Sequence, residues 1–528
     1  MTTAAAPLLP APRPSRYDRW RARAAADPVL RRRVAWIAPL LITLLAGVLR
    51  MWNLGHPQQI VFDETYYVKD AWSQWNLGYP SEWPDGADER FAAGETDIFG
   101  TEPSFVVHPP LGKYLIGAGM ALFGADSAFG WRIAVAVAGT ATVLVLYALA
   151  FTLSRSIAFA SIAGLLLAVD GIAIVLSRVA ILDALLTFFV VLAVWFAALD
   201  RRRHVDRLAW RAVRRAREGP LWWGPILWAR PWLVAAGVAA GAATAVKWSG
   251  LWVLAALGLY TVVTDALARR RLGVYFWPTD AVRQGAVSFL LLVPPAAAVY
   301  LASWTGWLVT DGGYGRHAVD GEPASGLLTL VPAPLRNLWH LHETIYASTA
   351  SISSPHPYAS AAWQWPLLLR PTSMYAFSTA DGVDGCASAR GCIEVLYSMP
   401  NPLLWWGGIA AILWMLYRFV RAPDARTGLV LTALASTYLP WLLYPERTIF
   451  QFYTVVMLPF LVLAVCFALR DIAGPPQGDP TRRLSGVRVV TVILTVVLAV
   501  SALWYPLWSA VSVPYEFYWL HAWLPGWI

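Results

Sequence analysis

Residues 31–52 read RRRVAWIAPLLITLLAGVLRMW: three arginines, then a long apolar run from 34 to 52 that holds one charge, Arg50, near its end. The hydrocarbon core of a bilayer, about 30 Å thick, takes roughly 20 apolar residues as a helix. A block of arginine ahead of such a run holds that end on the cytoplasmic side. No small-residue cleavage pattern closes the run, so it reads as a retained anchor. Residues 1–33, rich in Pro, Ala and Arg, then form a loose cytoplasmic tail.

The same grammar repeats along the chain. Runs near spanning length occur at about 34–52, 131–153, 157–176, 179–199, 228–246, 250–268, 285–307, 403–419, 427–444, 449–469 and 489–509, eleven in all. With 58% hydrophobic and only 14% charged residues, against about 25% charged in soluble domains, the chain is an all-α polytopic membrane protein. Its net charge of +9 sits in short Arg blocks between apolar runs, where it orients helices, and this argues against nucleic acid as a partner.

Those blocks fix the parity of crossings. The tail, Arg201 through Arg217, Arg269–Arg271 with Arg283, Arg418 to Arg426 and Arg470 to Arg488 all belong inside. An even number of crossings must separate the tail from the block at 201, and four runs already do so. The short run 111–124 would be a fifth, so it is expected to lie flat as an interfacial helix. Two long outer loops follow, at about 53–130 and 308–402, with the C-terminus outside. The three lysines, Lys69, Lys113 and Lys247, all fall on or near that outer side, against the bias. Cys386 and Cys392 lie close together in the second loop and can form one disulfide in an oxidising compartment; Cys466 lies in an apolar run.

The outer loops carry the chemistry. Val61-Phe62-Asp63-Glu64-Thr65-Tyr66-Tyr67 sets two adjacent carboxylates among aromatics at the membrane surface, where burial raises a pKa and makes a general base; on spacing alone a solvated acid pair fits equally well. His108-Pro109-Pro110-Leu111-Gly112-Lys113 offers a stiff turn with a His and a Lys suited to a phosphate headgroup, or a lysine that only snorkels. Trp131-Arg132, Asp170, Ser177-Arg178 and Asp183 place ionisable groups at outer helix ends, where unpaired charge is costly; Arg178 and Asp183 can also simply pair with each other. Lys247 in VKWSGLW (246–252) suits a phosphate, and the tryptophans suit an interfacial girdle. His340 and His342 have poor spacing for a metal. His356, Tyr358, Trp363 and Trp365, in HPYAS and WQWP, suit sugar or peptide contact, and Arg447 ends a helix.

In this order the motifs resemble the protein O-mannosyltransferase family, of the GT-C class of membrane glycosyltransferases. The resemblance rests on Asp63-Glu64, HPPLGK at 108–113, WR at 131–132, the stretch 170–183, VKWSGLW, HPYAS with WQWP, and ERTIFQFY at 446–453. It covers residues 34–528 and implies a GT-C fold of eleven transmembrane helices in the cell membrane. The second loop is too short for the MIR domain of eukaryotic members, as in the actinobacterial form. The resemblance implies polyprenyl-phosphate-mannose as donor and Ser/Thr of secreted proteins as acceptor, with membrane lipids and the Sec translocon as neighbours and no required cofactor or metal. It also implies inversion at the anomeric centre, Asp63 as base and Glu64 positioning the acceptor. Arg132 and Lys247, with Arg178, Lys113 and His108, would then hold the donor phosphate and sugar. Two other readings stand beside it: a GT-C transferase with a lipid or glycan acceptor, and a transporter using Asp170, Arg178 and Asp183.

Overall fold

The computed structural model describes residues 14–321 and 323–527, so the first part of the expected tail lies outside the described residues. Every one of the eleven apolar runs is helical over most of its length. Among the described residues seven helices are long and apolar enough to cross a membrane: Pro28–Met51, Ala128–Ser154, Leu182–Ala216, Ser249–Arg271, Trp277–Ser303, Pro402–Arg421 and Pro480–Trp508. Shorter apolar helices at Ile157–Ala168 and Pro231–Val246 pack among them. Leu111–Phe123, at 13 residues, is only about 20 Å long at 1.5 Å per residue, too short to cross.

Burial separates the centre of the bundle from its rim. In the apolar window of Leu182–Ala216 67% of residues are buried, against 11% in Pro28–Met51 and 17% in Pro480–Trp508. The first and last long helices therefore present their apolar faces outward, as a lipid-facing helix must. Leu182–Ala216 runs 35 residues, about 50 Å, and its last turns carry the Arg201–Arg215 block clear of the apolar zone. There Arg230 bonds Asp200 at 2.5 Å and Asp265 at 2.6 Å, and Arg269 bonds Asp280 at 2.7 Å, so the charges buried at this end are paired.

Two expectations are corrected. The fold is mostly helical, not all-α: strands β1 (Thr372–Thr379), β2 (Cys392–Ser398) and β3 (Val513–Pro514) form an antiparallel sheet in the order β1-β2-β3. β2 is buried along nearly its whole length, so its apolar and aromatic side chains pack on both faces, and a segment of this length is invisible to a spanning-length hydropathy window. The Cys386–Cys392 disulfide closes the turn leading into it. The second correction is that Arg16–Ala26, expected as loose tail, is a helix. Ser15 caps it and Asp18 pairs with Arg483 at 3.0 Å, fastening it to the last long helix.

The two long loops are ordered around the same end of the bundle. Helix Glu64–Leu77 packs on Leu111–Phe123, and helix Ala333–Ala350 lies in the second loop. Between them they roof the region where the helices Leu182–Ala216 and Ser249–Arg271 begin and Pro231–Val246 ends.

Candidate functional site

The site grows from one tight turn. Phe62 adopts φ +48°, a left-handed conformation that is costly for a bulky side chain and is kept only where the surroundings hold it. The Glu64 N–H donates to the Val61 carbonyl at 2.9 Å, and the Val61 N–H donates back to Glu64 Oε2 at 3.0 Å. The Phe62 ring is clamped edge-on by His356, Phe450 and Phe452 at 5.7–5.9 Å. Three motifs distant in sequence thus meet at this turn.

The two neighbouring acids have opposite environments. Glu64 is fully buried; Arg132 reaches both its oxygens, Nε at 2.8 Å and Nη2 at 2.9 Å, and the Ala180 N–H donates to it at 2.7 Å. Arg132 spends its remaining donors on the carbonyls of Leu54, Pro57 and Gln59. This pair ties the first outer loop to helix Ala128–Ser154 and to the segment before Leu182. Neither side chain is open to a substrate, so the expected contact of Glu64 with acceptor and of Arg132 with phosphate is not the geometry found.

Asp63 is the reverse. It stands at the N-cap of helix Glu64–Leu77 without spending its side chain on capping, and its carboxylate has no hydrogen-bond or ion-pair partner among the described residues. Burial pushes its carboxyl up to about 6; the Lys247 ammonium nearby pulls it down and the Asp183 carboxylate pushes it up.

Lys247 follows helix Pro231–Val246, and its Nζ lies 2.7 Å from Asp183 Oδ2 and 5.1 Å from the Tyr453 ring centre. His108 stacks on Tyr67 at 6.0 Å. Its imidazole is held well below the usual range by burial and by the nearby cations Lys247, Lys113 and Arg447, so His108 is neutral. Lys113 is buried against Asp70 at 3.2 Å. Arg447 lies over the Trp441 ring at 5.7 Å, with its Nε buried and unbonded.

Lys247 and Arg447 border a cavity of about 630 Å³. Asp183, Lys247, Arg447 and Tyr453 form its polar end, and Leu186, Val190, Val253, Leu254 and Val293 carry it down between helices. On its wall Trp248 Nε1 donates to the Tyr300 hydroxyl at 2.9 Å, and that hydroxyl meets His342 Nε2 at 2.5 Å. The other His342 nitrogen faces the Leu338 carbonyl at 2.5 Å, so both ring nitrogens are used within the fold.

The remaining expected residues divide. His356 and Tyr358 lie beside the Phe62 turn, with Tyr358 under Arg370 at 5.5 Å. Trp363 is 60% exposed, whereas Trp365 is 1% exposed, donates to the Ser360 carbonyl and packs on Tyr438, Trp441 and Tyr453. Arg178 does not pair with Asp183. Its guanidinium donates to the carbonyls of Arg50, Trp52, Asn53 and Ser509, because the end of the first long helix offers orphan carbonyls. Asp170 caps helix Gly171–Val175 and accepts from the Asn401 N–H. Sequence reasoning missed the Asp183–Lys247 and Asp70–Lys113 pairs and the ring of Tyr453. The usable signal was that a buried ion demands a counter-ion.

An unspent carboxylate in the fields of Lys247 and Asp183, which with Arg447 form the polar end of an apolar cavity within a helical bundle, suits a polytopic membrane glycosyltransferase. Residues 124–301 match the model described as dolichyl-phosphate-mannose-protein mannosyltransferase, and residues 334–527 match the C-terminal four TMM region of protein-O-mannosyltransferase. The chain is 34% identical to a polyprenol-phosphate-mannose–protein mannosyltransferase of Mycolicibacterium smegmatis, covering 94% of each chain. It is 30% identical to that of Corynebacterium glutamicum, covering 92% of this chain and 91% of that one. The S. cerevisiae Pmt1-Pmt2 complex bound to the sugar donor shares the fold, with a TM-score of 0.69 at 15% identity over 93% of this chain and 92% of that one. The chain belongs to the polyprenol-phosphate-mannose–protein mannosyltransferase family.

Proposed function

We propose that this chain transfers mannose from polyprenyl-phosphate-mannose to Ser or Thr hydroxyls of exported proteins on the extracytoplasmic face, inverting the anomeric centre. The observation that carries the reading is the Asp63 carboxylate, without a partner among the described residues and within the fields of Lys247 and Asp183, which line the cavity. A hydroxyl attacks only if its proton has somewhere to go, and a carboxylate raised to about 6 is ionised at neutral pH yet basic enough to take it. The leaving polyprenyl phosphate is already an anion and needs no acid, so one carboxylate suffices where a glycosidase uses two.

The apolar walls of the cavity suit a prenyl chain, and Lys247 with Arg447 suits the phosphate at its polar end, where fixed cations stabilise charge developing on the leaving group. Lys113, held by Asp70, adds a further cation behind them, and the neutral His108 offers a hydrogen bond rather than a charge. Glu64 and Arg132 act as positioning residues that hold Asp63. His356, Tyr358 and Trp363 border the acceptor side. In this reading the eleven helical runs all cross, the N-terminus is cytoplasmic and the C-terminus outside, in accord with the arginine blocks.

The test is transfer of radiolabelled mannose from polyprenyl-phosphate-mannose to a Thr- and Pro-rich peptide, comparing the chain with Asp63→Asn at equal folded amount. Transfer by the first and near-complete loss in the second is expected. Equal transfer by both would remove Asp63 from its role, and none by either, with intact donor, would overturn the mannosyl reading.

A further inference from the structure

A second cavity, about 790 Å³, opens at the other end of the bundle. Helices Pro402–Arg421 and Leu458–Ala473 both start beside the candidate site and end here, and Gly474–Pro476 and Arg482 complete the wall. The lining holds three guanidinium groups, Arg418, Arg470 and Arg482, against one carboxylate, Asp471.

Those charges are unevenly matched. Arg418 takes Asp471 in an ion pair, and the Trp414 indole N–H donates to the same oxygen at 3.4 Å. The adjacent Arg483 is spent on Asp18 and on the carbonyls of Ala473 and Gly474, which fixes the loop in place. The Asp479 carboxylate caps the next helix through the N–H groups of Thr481 and Arg482. Arg470, over the Phe467 ring at 4.8 Å, and Arg482 have no carboxylate partner among the described residues.

The cavity also has an apolar side. Trp414 and Ile472 are each 44% exposed, and Trp414 stacks on Tyr417 at 5.7 Å, the pattern of an aromatic belt at a membrane–water boundary. Unmatched guanidinium groups at that depth, flanked by exposed apolar side chains, suit a phosphate that arrives attached to a lipid. A soluble phosphate would need the cations and have no use for the apolar flank.

We propose that this cavity binds the phosphodiester headgroup of an anionic phospholipid, with Arg470 and Arg482 on the phosphate and the acyl chains along Trp414 and Ile472. The site is independent of the transfer reaction.

The test uses the full chain in nanodiscs of phosphatidylcholine with a minor share of phosphatidylglycerol, reading the retained lipid by native mass spectrometry. Arg470→Gln/Arg482→Gln should weaken phosphatidylglycerol retention roughly thirty-fold, as expected for two interfacial cations. Arg421→Gln, at the same end but outside the cavity, should leave it unchanged, and mannosyl transfer should persist in both variants. Arg482→Gln alone serves if the double variant does not fold. Equal retention of the two lipids, or equal loss in Arg421→Gln, would overturn the site. Displacement by soluble glycerol phosphate at the same concentration as the lipid would overturn its lipid character.

Discussion

The Glu64 carboxylate and the Arg132 guanidinium form a bidentate pair with neither side chain exposed, one residue away from a carboxylate that has no partner among the described residues. Removing one member of a buried pair leaves a bare charge and costs about 3–5 kcal/mol. Arg132→Ala should therefore lower the unfolding midpoint in detergent sharply and lose transfer with it. Arg132→Lys should recover only part of that stability, since a point charge cannot reproduce the fork.

Asp63→Asn should do the opposite. No bond of the Asp63 side chain is lost, so thermal unfolding stays that of the parent while transfer falls by about 10²–10⁴, the usual contribution of a general base. A large fall in stability would mean that the carboxylate has a structural partner.

The pH dependence follows from the same group. Its pKa is raised to about 6 and the base works deprotonated. The rate at low donor concentration should therefore be level above pH 7 and fall as pH drops through about 6, with a slope of one. The acidic limb should vanish from the residual activity of Asp63→Asn. A limb near 4 would place Asp63 in a solvated setting.

Lys247 has both a counter-ion and a proposed substrate, and a double substitution separates the two. Lys247→Gln leaves Asp183 buried and unpaired, so it should cost stability as well as about 10²–10³ in turnover. Lys247→Gln/Asp183→Asn should regain the stability and not the turnover. Recovery of transfer in the double variant would assign Lys247 a purely structural role.

The two tryptophans of WQWP should part company. Trp365→Ala empties a buried site and should cost about 3–5 kcal/mol. Trp363→Ala, on the surface, should change stability by no more than about 0.5 kcal/mol while raising the KM for the acceptor peptide and sparing that for the donor.

Hydropathy sufficed for the helices because a spanning run is long and its signal adds over about 20 residues. It passed over β2, whose Cys392–Ser398 segment is shorter than any such window, and it merged Ile157–Ala168 with Gly171–Val175 across the break that Asp170 caps. Motif reading brought Asp63, Lys247, His356 and Arg447 to one neighbourhood. The resemblance gave Asp63 and Glu64 different roles, but the sequence held no physical reason for the difference, which lies in Arg132 and Ala180, approaching from 68 and 116 residues away. Arg178 and Asp183, five positions apart, looked like a pair; the helix start between them turns one toward the carbonyls of Arg50 and Trp52 and the other toward Lys247.

The Phe62 turn also has a bearing on how the protein is made. Its neighbour Asp63 emerges from the ribosome early, the cation Lys247 follows when about half the chain exists, and the rings that brace the turn and the lysine, His356, Phe450, Phe452 and Tyr453, arrive last. A growing chain thus stays silent until its final helices are being inserted. A premature stop between Asp63 and Tyr453 would leave a membrane-anchored remnant with its aspartate present and its pocket unbuilt.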